Sequence, residues 1–299
     1  MFGQNMKIIL IGSDSFIASC FYESFDHKDN LKIYSIKKSG KKNEIIVNDL
    51  FQLKETDFVG YDIVMNFAAI VHQPKLNDDE LYNKINTELP IFLSTTAKSA
   101  GIKHFIQMST IAVYGNTSFI DDNTPQLPIN IYGKSKLIAD NALLDMQVEK
   151  FNVTIVRPPM VYGGGKSPGN MLKLIQFANK GIPLPFKDVE NRRDFIHVFN
   201  LVQVLGIIIN HSLFGVIRPT DAKPVSTGEL MKIIKKNSTA DIRSFQIPRL
   251  FQRMIKTIIP SVYEKLFGNL EVKCNISAKL YTPQFNIDSG IKELLASLK

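Results

Sequence analysis

The stretch Lys7–Ala18 reads KIILIGSDSFIA, a short apolar run followed by a turn of small residues. The apolar run predicts a buried strand, and the residues from Phe16 onward are compatible with a helix. Gly12 permits a tight turn, and Ser15 is small enough for a phosphate to approach the backbone. The N–H groups of Phe16 and Ile17 would then bind that phosphate at the helix N-terminus. Taken alone, the stretch fits an ordinary strand-to-helix turn equally well.

Similar apolar runs recur through the first half of the chain and alternate with helix-compatible stretches. The predicted strands are Lys7–Ile11, Lys32–Ile36, Ile45–Val47, Ile63–Phe67, His104–Met108 and Val153–Arg157. The predicted helices are Phe16–Phe25, Asp79–Ala100 and Ile131–Glu149. The alternation of strand and helix predicts an α/β fold with one doubly wound parallel sheet.

The pattern loosens after Pro158, where glycine and proline become frequent. We therefore expect residues 1–165 to form a dinucleotide-binding domain. Residues 166–299 would form mainly a smaller C-terminal cap that binds substrate, with some segments returning to the core. In open α/β sheets the ligand crevice lies beyond the carboxyl ends of the strands, where such a cap would close it.

The composition is that of a globular chain of 299 residues, 44% of them hydrophobic and 21% charged. Its two cysteines, Cys20 and Cys274, stand far apart, which argues against a disulfide scaffold and favours a reducing cytoplasm. We see no run of about 18 apolar residues that would span a membrane. The formal charge of +8 favours an anionic partner, and the scattered lysines favour a phosphorylated small molecule over nucleic acid. The histidines lack metal-ligand spacing, so we expect no metal site.

The end of the second predicted strand bears on the choice of dinucleotide. A protein that selects NAD usually places Asp or Glu there, about 20 residues after the phosphate loop, to bind the adenosine ribose. This chain has Ile36, Lys37 and Lys38 instead. Two interpretations of Lys37 fit equally well. It would pair with the 2′-phosphate of NADP, or it is simply the solvated end of a strand.

A tyrosine and a lysine stand four residues apart at the start of the third predicted helix. Tyr132 and Lys136 therefore share one helix face and would point into the same crevice. An adjacent ammonium lowers the pKa of a phenol, which is otherwise near 10 and a poor base at neutral pH. Such a spacing also arises by chance, so the pair alone is weak evidence of a catalytic site. Ser109 and Thr110 strengthen it, because they bring hydroxyls to the carboxyl edge of the sheet.

The motifs along the chain form an ordered set of seven. They are the Gly12 loop, Asn48-Asp49-Leu50, Asn66-Phe67-Ala68-Ala69, Ser109-Thr110 with Val113-Tyr114-Gly115, Tyr132 to Lys136, Arg157-Pro158 with Val161-Tyr162-Gly163, and Arg193 to Val198. In this set the chain resembles the extended short-chain dehydrogenase/reductase family, specifically the NAD-dependent epimerase/dehydratase group typified by UDP-glucose 4-epimerase. The resemblance covers nearly the whole chain. It implies a Rossmann-type fold, a nucleotide-diphosphate sugar as substrate, and a setting in the synthesis of bacterial surface-polysaccharide precursors.

The resemblance implies catalytic roles for three residues. Tyr132 would be the acid/base, and Lys136 would lower its pKa and contact the cofactor ribose. Thr110 would hydrogen-bond the reacting sugar oxygen, with Ser109 a weaker candidate for that role. Thr110 as a purely structural hydroxyl at the end of a strand is the competing interpretation.

The resemblance also implies binding residues. Those for the cofactor are Asp49 and Leu50 by the adenine, Ala68 and Ala69 along the dinucleotide, and Pro158 near the nicotinamide. Those for the substrate phosphates are Arg193, whose guanidinium suits a diphosphate, and Asn170 at a helix start. Asp49 is also readable as a turn or helix-cap residue, and Arg193 as a surface partner of Asp194 or Glu190.

The implied reaction is reversible hydride exchange at a sugar carbon, with Tyr132 moving the hydroxyl proton. We expect a 4-epimerase that uses NAD and acts on a UDP-hexose or UDP-N-acetylhexosamine through a 4-keto intermediate. The alternative is an NAD(P)H-dependent reductase of a UDP-4-keto-6-deoxy amino sugar, and NADP stays open as cofactor. A 4,6-dehydratase is disfavoured, because Ile111-Ala112 stand where those enzymes carry an Asp-Glu pair.

Three further hypotheses remain from the sequence. Residues 247–267 mix bulky apolar and basic side chains, as an interfacial amphipathic helix would, although a cap helix packed on the core is the simpler interpretation. Some relatives act on polyprenyl-diphosphate sugars, which would suit such membrane contact. Homodimers are common in the family. A non-catalytic dinucleotide-binding protein is disfavoured, because Tyr132, Lys136 and Thr110 are all present.

Overall fold

The computed structural model describes residues 6–71, 78–165, 167 and 169–298. Within these residues, seven parallel strands form the central sheet in the order β10-β7-β5-β4-β1-β2-β3. The strands are β1 (Ile8–Ile11), β2 (Leu31–Ser35), β3 (Glu44–Ile46), β4 (Ile63–Asn66), β5 (His104–Met108), β7 (Asn152–Val156) and β10 (Gly215–Ile217). Two short parallel pairs lie beside the sheet: β6 (Phe119–Ile120) with β11 (Glu271–Val272), and β8 (Met160–Tyr162) with β9 (Phe195–His197).

The helices connect these strands and build the cap. They are α1 (Phe16–Ser24), α2 (Glu55–Phe58), α3 (Asp79–Asn83), α4 (Leu89–Ser99), α5 (Ile131–Asp145), α6 (Asn170–Asn179), α7 (Val198–His211), α8 (Thr227–Asn237), α9 (Arg249–Ile258), α10 (Pro260–Phe267) and α11 (Ile287–Ala296). A π-helical segment, Lys84–Glu88, joins α3 to α4. Short 3₁₀ turns lie at Lys28–Asn30, Leu50–Gln52 and Ile111–Tyr114.

The sheet is covered on both faces, as β1 shows. Ile8 and Leu10 point to the core shared with α1 and α7, whereas Ile9 and Ile11 point to the core shared with α4 and α5. A strand that is buried on both sides has no polar alternation, which is why β1 is a continuous apolar run. The observed architecture confirms the predicted Rossmann-type doubly wound fold.

The predicted elements match the observed ones to within a few residues, with two informative differences. The strand β10 comes from beyond residue 165 and joins the sheet edge beside β7, so it belongs to the central sheet. It has only three residues, too few for a distinct sequence signal. The helix α5 ends at Asp145 rather than Glu149, because Val148 and Phe151 form an antiparallel bridge that turns the chain into β7.

The cap has its own apolar core. Met171 and Ile175 from α6, Leu230 from α8, Phe267 from α10 and Leu294 from α11 belong to one buried cluster. Among the described residues, every helix is too short or too polar to cross a bilayer. This cluster is separate from the two clusters that cover the faces of the central sheet.

Candidate active site

The loop after β1 makes a close approach to the segment after β4. Gly12 has a φ of +78° and its N–H donates to the carbonyl of Tyr34 at 3.0 Å. A Cβ at this position would lie 2.6 Å from the backbone nitrogen of Ala68, so both the turn and the contact require glycine. Ser15 caps α1 by accepting a hydrogen bond from the Ala18 N–H at 3.2 Å. Phe16 and Ile17 therefore stand at the helix N-terminus, as predicted for a phosphate-binding turn.

The loop lies where the strand order reverses. The chain winds outward from β1 through β2 to β3 and then returns to β4 on the other side of β1. Ala68 and Ala69 follow β4, and the Asn66 side chain holds that segment by accepting from the Ala68 N–H at 3.1 Å. Asn66 also donates to Gln107 at 2.9 Å. This reversal point is where open α/β sheets bind nucleotides.

A carboxylate reaches the phosphate loop from an unexpected strand. Glu44, the first residue of β3, accepts hydrogen bonds from the Ser13 hydroxyl at 3.1 Å and from the Ser39 and Gly40 N–H groups at 2.9 Å, and also bonds the Ser39 hydroxyl. Burial raises the pKa of Glu44, but these hydrogen bonds outweigh burial and hold the pKa below its ordinary value. Beside it, the Lys41 Nζ donates to the Ser13 carbonyl at 2.8 Å. Sequence reasoning missed both residues, since no local pattern shows how the loop after β2 folds back.

The residues predicted to contact the adenosine lie shortly after β2 and β3. Lys37 is exposed, and its carbonyl accepts a hydrogen bond from the Ser35 hydroxyl at 2.9 Å. Asp49 caps the 3₁₀ turn that begins at Leu50, by accepting from the Phe51 N–H at 3.0 Å. Leu50 is buried. The cap role of Asp49 is thus observed, and the adenine contacts of Asp49 and Leu50 stay predictions.

The structure brings the three predicted catalytic residues to one place. Thr110 caps the 3₁₀ turn after β5 by accepting a hydrogen bond from the Ala112 N–H at 3.1 Å, and its hydroxyl is close enough to the half-buried phenol of Tyr132, at the start of α5, to influence the pKa of that phenol. Burial raises the pKa of Tyr132 to about 12, and the Thr110 hydrogen bond opposes that rise. Asn130 caps α5 by accepting from the Gly133 N–H at 2.8 Å, which fixes where the helix face begins. Lys136 lies one turn further on.

Lys136 carries a buried amine that lacks a hydrogen-bond partner. The residue is 1% exposed, and among the described residues its Nζ contacts no acceptor. Burial lowers the pKa of Lys136 to about 8, while the charge of Asp140 acts in the opposite direction. An unpartnered amine one helical turn after Tyr132 fits the hydroxyls of a dinucleotide ribose. The Gly12–Ala68 approach likewise fits a pyrophosphate, so the residues present suit NAD.

A buried ion pair holds this face of α5 against the sheet. Asp140 accepts hydrogen bonds from the Arg157 Nε at 2.9 Å and the Ser109 hydroxyl at 2.7 Å. Arg157 donates a further hydrogen bond to the Tyr114 hydroxyl at 2.9 Å. Burial raises the pKa of Asp140, and the charge of Arg157 counteracts it. Because Ser109 is engaged with Asp140, Thr110 is the hydroxyl placed beside the phenol.

The π-helical segment supports α5 from the other side. Asn86 exchanges hydrogen bonds with the backbone of Ile70, both at 2.9 Å, and donates to the Ser135 hydroxyl at 3.3 Å. Thr87 donates to the Ser135 carbonyl at 2.9 Å. A π segment shifts the register of a helix, and such segments are frequent at functional sites. Here the shift places two polar side chains between the cofactor-side loop and the catalytic helix.

The remaining predicted residues lie around the crevice and in the cap. Pro158 is buried after β7, where its carbonyl accepts from the Ile111 N–H at 3.2 Å. Asn170 is exposed at the start of α6; the neighbouring positions 166 and 168 lie outside the described residues. Arg193 pairs with backbone carbonyls: its Nη1 donates to those of Glu264 at 3.2 Å and Gly268 at 2.9 Å.

Comparison with known proteins agrees with this geometry. The sequence profile of the NAD dependent epimerase/dehydratase family matches residues 8–216. The chain belongs to that family. The family is one of NAD-dependent enzymes, and the matched range includes both the Gly12 loop and the Tyr132–Lys136 segment.

This chain is similar to several curated epimerases and to epimerases of known structure. It is 30% identical to a UDP-glucose 4-epimerase of Vibrio cholerae, covering 97% of this chain and 89% of that protein. It is 25% identical to an N-acetyl-alpha-D-glucosaminyl-diphospho-ditrans,octacis-undecaprenol 4-epimerase of Escherichia coli O157:H7. That match covers 82% of this chain and 76% of that protein. The fold superimposes on a UDP-Glc/GlcNAc 4-epimerase of Campylobacter jejuni with a TM-score of 0.78 and 21% identity, covering 98% and 99%. It also superimposes on a UDP-glucuronic acid 4-epimerase of Bacillus cereus, solved with NAD, with a TM-score of 0.76 and 16% identity. That comparison covers 98% of this chain and 99% of the other.

Proposed function

We propose that this chain is a nucleotide-sugar 4-epimerase that acts on a UDP-hexose or UDP-N-acetylhexosamine through a 4-keto intermediate. The observation that carries the proposal is the placement of Tyr132 and the buried Lys136 amine one turn apart on one face of α5, with the Thr110 hydroxyl beside the phenol. The named activities of the similar proteins are 4-epimerisations of sugar diphosphates, which supports the same reaction here.

Tyr132 would move a proton between its phenol and the sugar hydroxyl. With a pKa near 12, the phenol is almost wholly protonated at neutral pH, so proton abstraction needs a positive charge close by. Lys136, protonated below about pH 8, supplies that charge from one turn away. Thr110 orients the phenol and would share the sugar oxygen. NAD, when bound, supplies the acceptor for the hydride of the sugar carbon and its return.

The arrangement around Glu44 supports NAD rather than NADP. The sequence argument for NADP rests on Lys37, which is exposed in the structure. The Glu44 carboxylate lies against Ser13 in the phosphate loop, where its negative charge disfavours a 2′-phosphate and the Lys41 ammonium on the Ser13 carbonyl offsets part of that charge. A retained NAD suits an epimerase, whereas the alternative UDP-4-keto-6-deoxy amino sugar reductase consumes reduced cofactor.

The proposal also includes the cellular setting. The named sugar substrates of the relatives support a role in polysaccharide precursor synthesis, and the free thiols of Cys20 and Cys274 suit a cytoplasmic enzyme. Homodimer formation through helices of the sheet domain stays a prediction.

The test is incubation of the purified protein with UDP-glucose or UDP-N-acetylglucosamine and measurement of the C4 epimers by proton NMR. We expect Tyr132→Phe to lower turnover by about 10² to 10⁴-fold while NAD still co-purifies, because only the proton shuttle is removed. Tyr61→Phe is the matched control, since Tyr61 precedes β4 at the opposite edge of the sheet. Net consumption of NADPH with a 4-keto sugar, without epimer formation, would identify the reductase instead.

A further inference from the structure

The helix α9 presents an apolar stripe to solvent. Phe251, Met254 and Ile258 are 53%, 49% and 67% exposed, and Ile255 between them is half-buried. Their spacing of three and four residues places all four on one helix face. An amphipathic helix normally turns such a face to the core, so the stripe of Phe251, Met254, Ile255 and Ile258 needs an occupant.

The orientation of α9 follows from the helix after it. Phe267 of α10 is buried in the cap core, with its ring 6.0 Å from that of Phe186 and 5.3 Å from the tilted ring of Tyr263. The Leu266 carbonyl accepts a hydrogen bond from the Thr227 hydroxyl at 3.3 Å. The cap core is thus filled by α10, and α9, which packs against α10, is left on the outside.

The same hairpin is attached to the expected phosphate-binding arginine. The Arg193 guanidinium donates to the Glu264 and Gly268 carbonyls at the end of α10. Arg193 is therefore joined through backbone contacts to the hairpin of α9 and α10 that carries the apolar stripe. A sugar diphosphate whose far end is apolar would extend from Arg193 toward this corner.

The charge of α9 indicates which kind of surface would cover the apolar stripe. Its sequence, RLFQRMIKTI, holds three basic residues and no acidic one. Arg253 and Lys256 are exposed on the polar side, and the Lys256 Nζ is 4.0 Å from Glu264. Apolar residues on one side with basic residues on the other are the pattern of a helix that lies in the surface of an anionic bilayer.

We propose that α9 docks on an anionic lipid surface through Phe251, Met254 and Ile258, and so presents the catalytic crevice to sugar diphosphates carried by membrane lipids. This rests on the proposed 4-epimerase function and specifies where its substrate resides. Arg253 and Lys256, on the opposite polar side of α9, add the positive charge that attracts an anionic surface, while the hydrocarbon of the carrier lipid lies along the apolar stripe.

The test is sedimentation of the full-length protein with vesicles of phosphatidylglycerol and phosphatidylcholine, compared with phosphatidylcholine alone. We expect binding to the anionic vesicles, at least a tenfold loss for Phe251→Ser with Ile258→Ser, and loss of the lipid preference for Arg253→Glu with Lys256→Glu. Val59→Ser is the matched control, because Val59 is 61% exposed beside the distant helix α2.

Turnover separates this inference from the proposed function. The double serine variant should keep its UDP-sugar turnover in solution and lose turnover of a polyprenyl-diphosphate sugar presented in vesicles. Protein that stays in the supernatant with anionic vesicles would overturn the docking while leaving epimerisation intact. A dimer in light scattering that Phe251→Ser with Ile258→Ser splits would assign the stripe to a second copy, which also overturns it.

Discussion

Replacing Lys136 by Met should make the dinucleotide-free protein more stable and nearly inactive. The Lys136 side chain is 1% exposed and its amine lacks a hydrogen-bond partner among the described residues. Its pKa is about 8, against 10.5 for an ordinary lysine. That difference corresponds to about 3 kcal/mol of destabilisation while the amine is protonated in both folded and unfolded states. Met has a similar length and no charge, so it removes this penalty without leaving a cavity.

The sign of the pH dependence follows from the lowered pKa. Below pH 8 the folded protein holds a protonated buried amine, and the penalty is fully present. Between pH 8 and 10.5 the folded form loses its proton before the unfolded form does, so wild-type stability rises toward that of Lys136→Met. At pH 7 we expect the variant to unfold roughly 5 °C higher, on the scale of about 2 °C per kcal/mol for a large domain.

Thermal unfolding followed by circular dichroism at pH 7 to 10.5, on protein stripped of dinucleotide, measures this difference. Lys134→Met is the matched control, since Lys134 is exposed on the other side of the same helix. Turnover of Lys136→Met should fall by about 10² to 10⁴-fold, because the phenol loses its neighbouring charge. The reasoning fails if the two variants have equal stability at pH 7, or if the gain of Lys136→Met persists unchanged at pH 10.5.

Three further substitutions test separate parts of the site. Glu44→Gln should raise the affinity for NADP relative to NAD by at least tenfold in calorimetric titration, since it removes the negative charge beside the phosphate loop; an unchanged ratio would contradict that role. Gly12→Ala should weaken NAD binding more than tenfold, because its Cβ would meet the Ala68 backbone at 2.6 Å; unaltered binding would show that the loop can shift. Asp140→Asn leaves Arg157 as an unpaired buried charge and should lower the urea-unfolding free energy by about 3 kcal/mol, whereas a loss below about 1 kcal/mol would refute the buried-pair interpretation.

Local sequence determined most of the fold and predicted the candidate catalytic residues. The run before Gly12 is apolar without alternation because β1 is buried on both faces, and that pattern is visible without coordinates. Tyr132 and Lys136 share a helix face because their spacing equals about one turn. These features depend on residues within a few positions of one another, which is why a linear pattern is enough to predict them.

Other parts of the site depended on which distant segments pack together. Glu44 meets Ser13, and Asp140 meets Arg157, across 31 and 17 residues of chain. The sequence left Lys37 either at a 2′-phosphate or as a solvated strand end, whereas the contact of Glu44 with Ser13 was decided by the fold of the loop after β2.

The sequence likewise did not decide whether the apolar face of α9 packs on the core or faces solvent. Its apolar spacing is equally that of a core helix, and only the filling of the cap core by Phe267 from α10 leaves it exposed. Secondary structure follows from local periodicity, whereas burial, ion pairing and unpartnered surface are set by competition between distant segments for the same space.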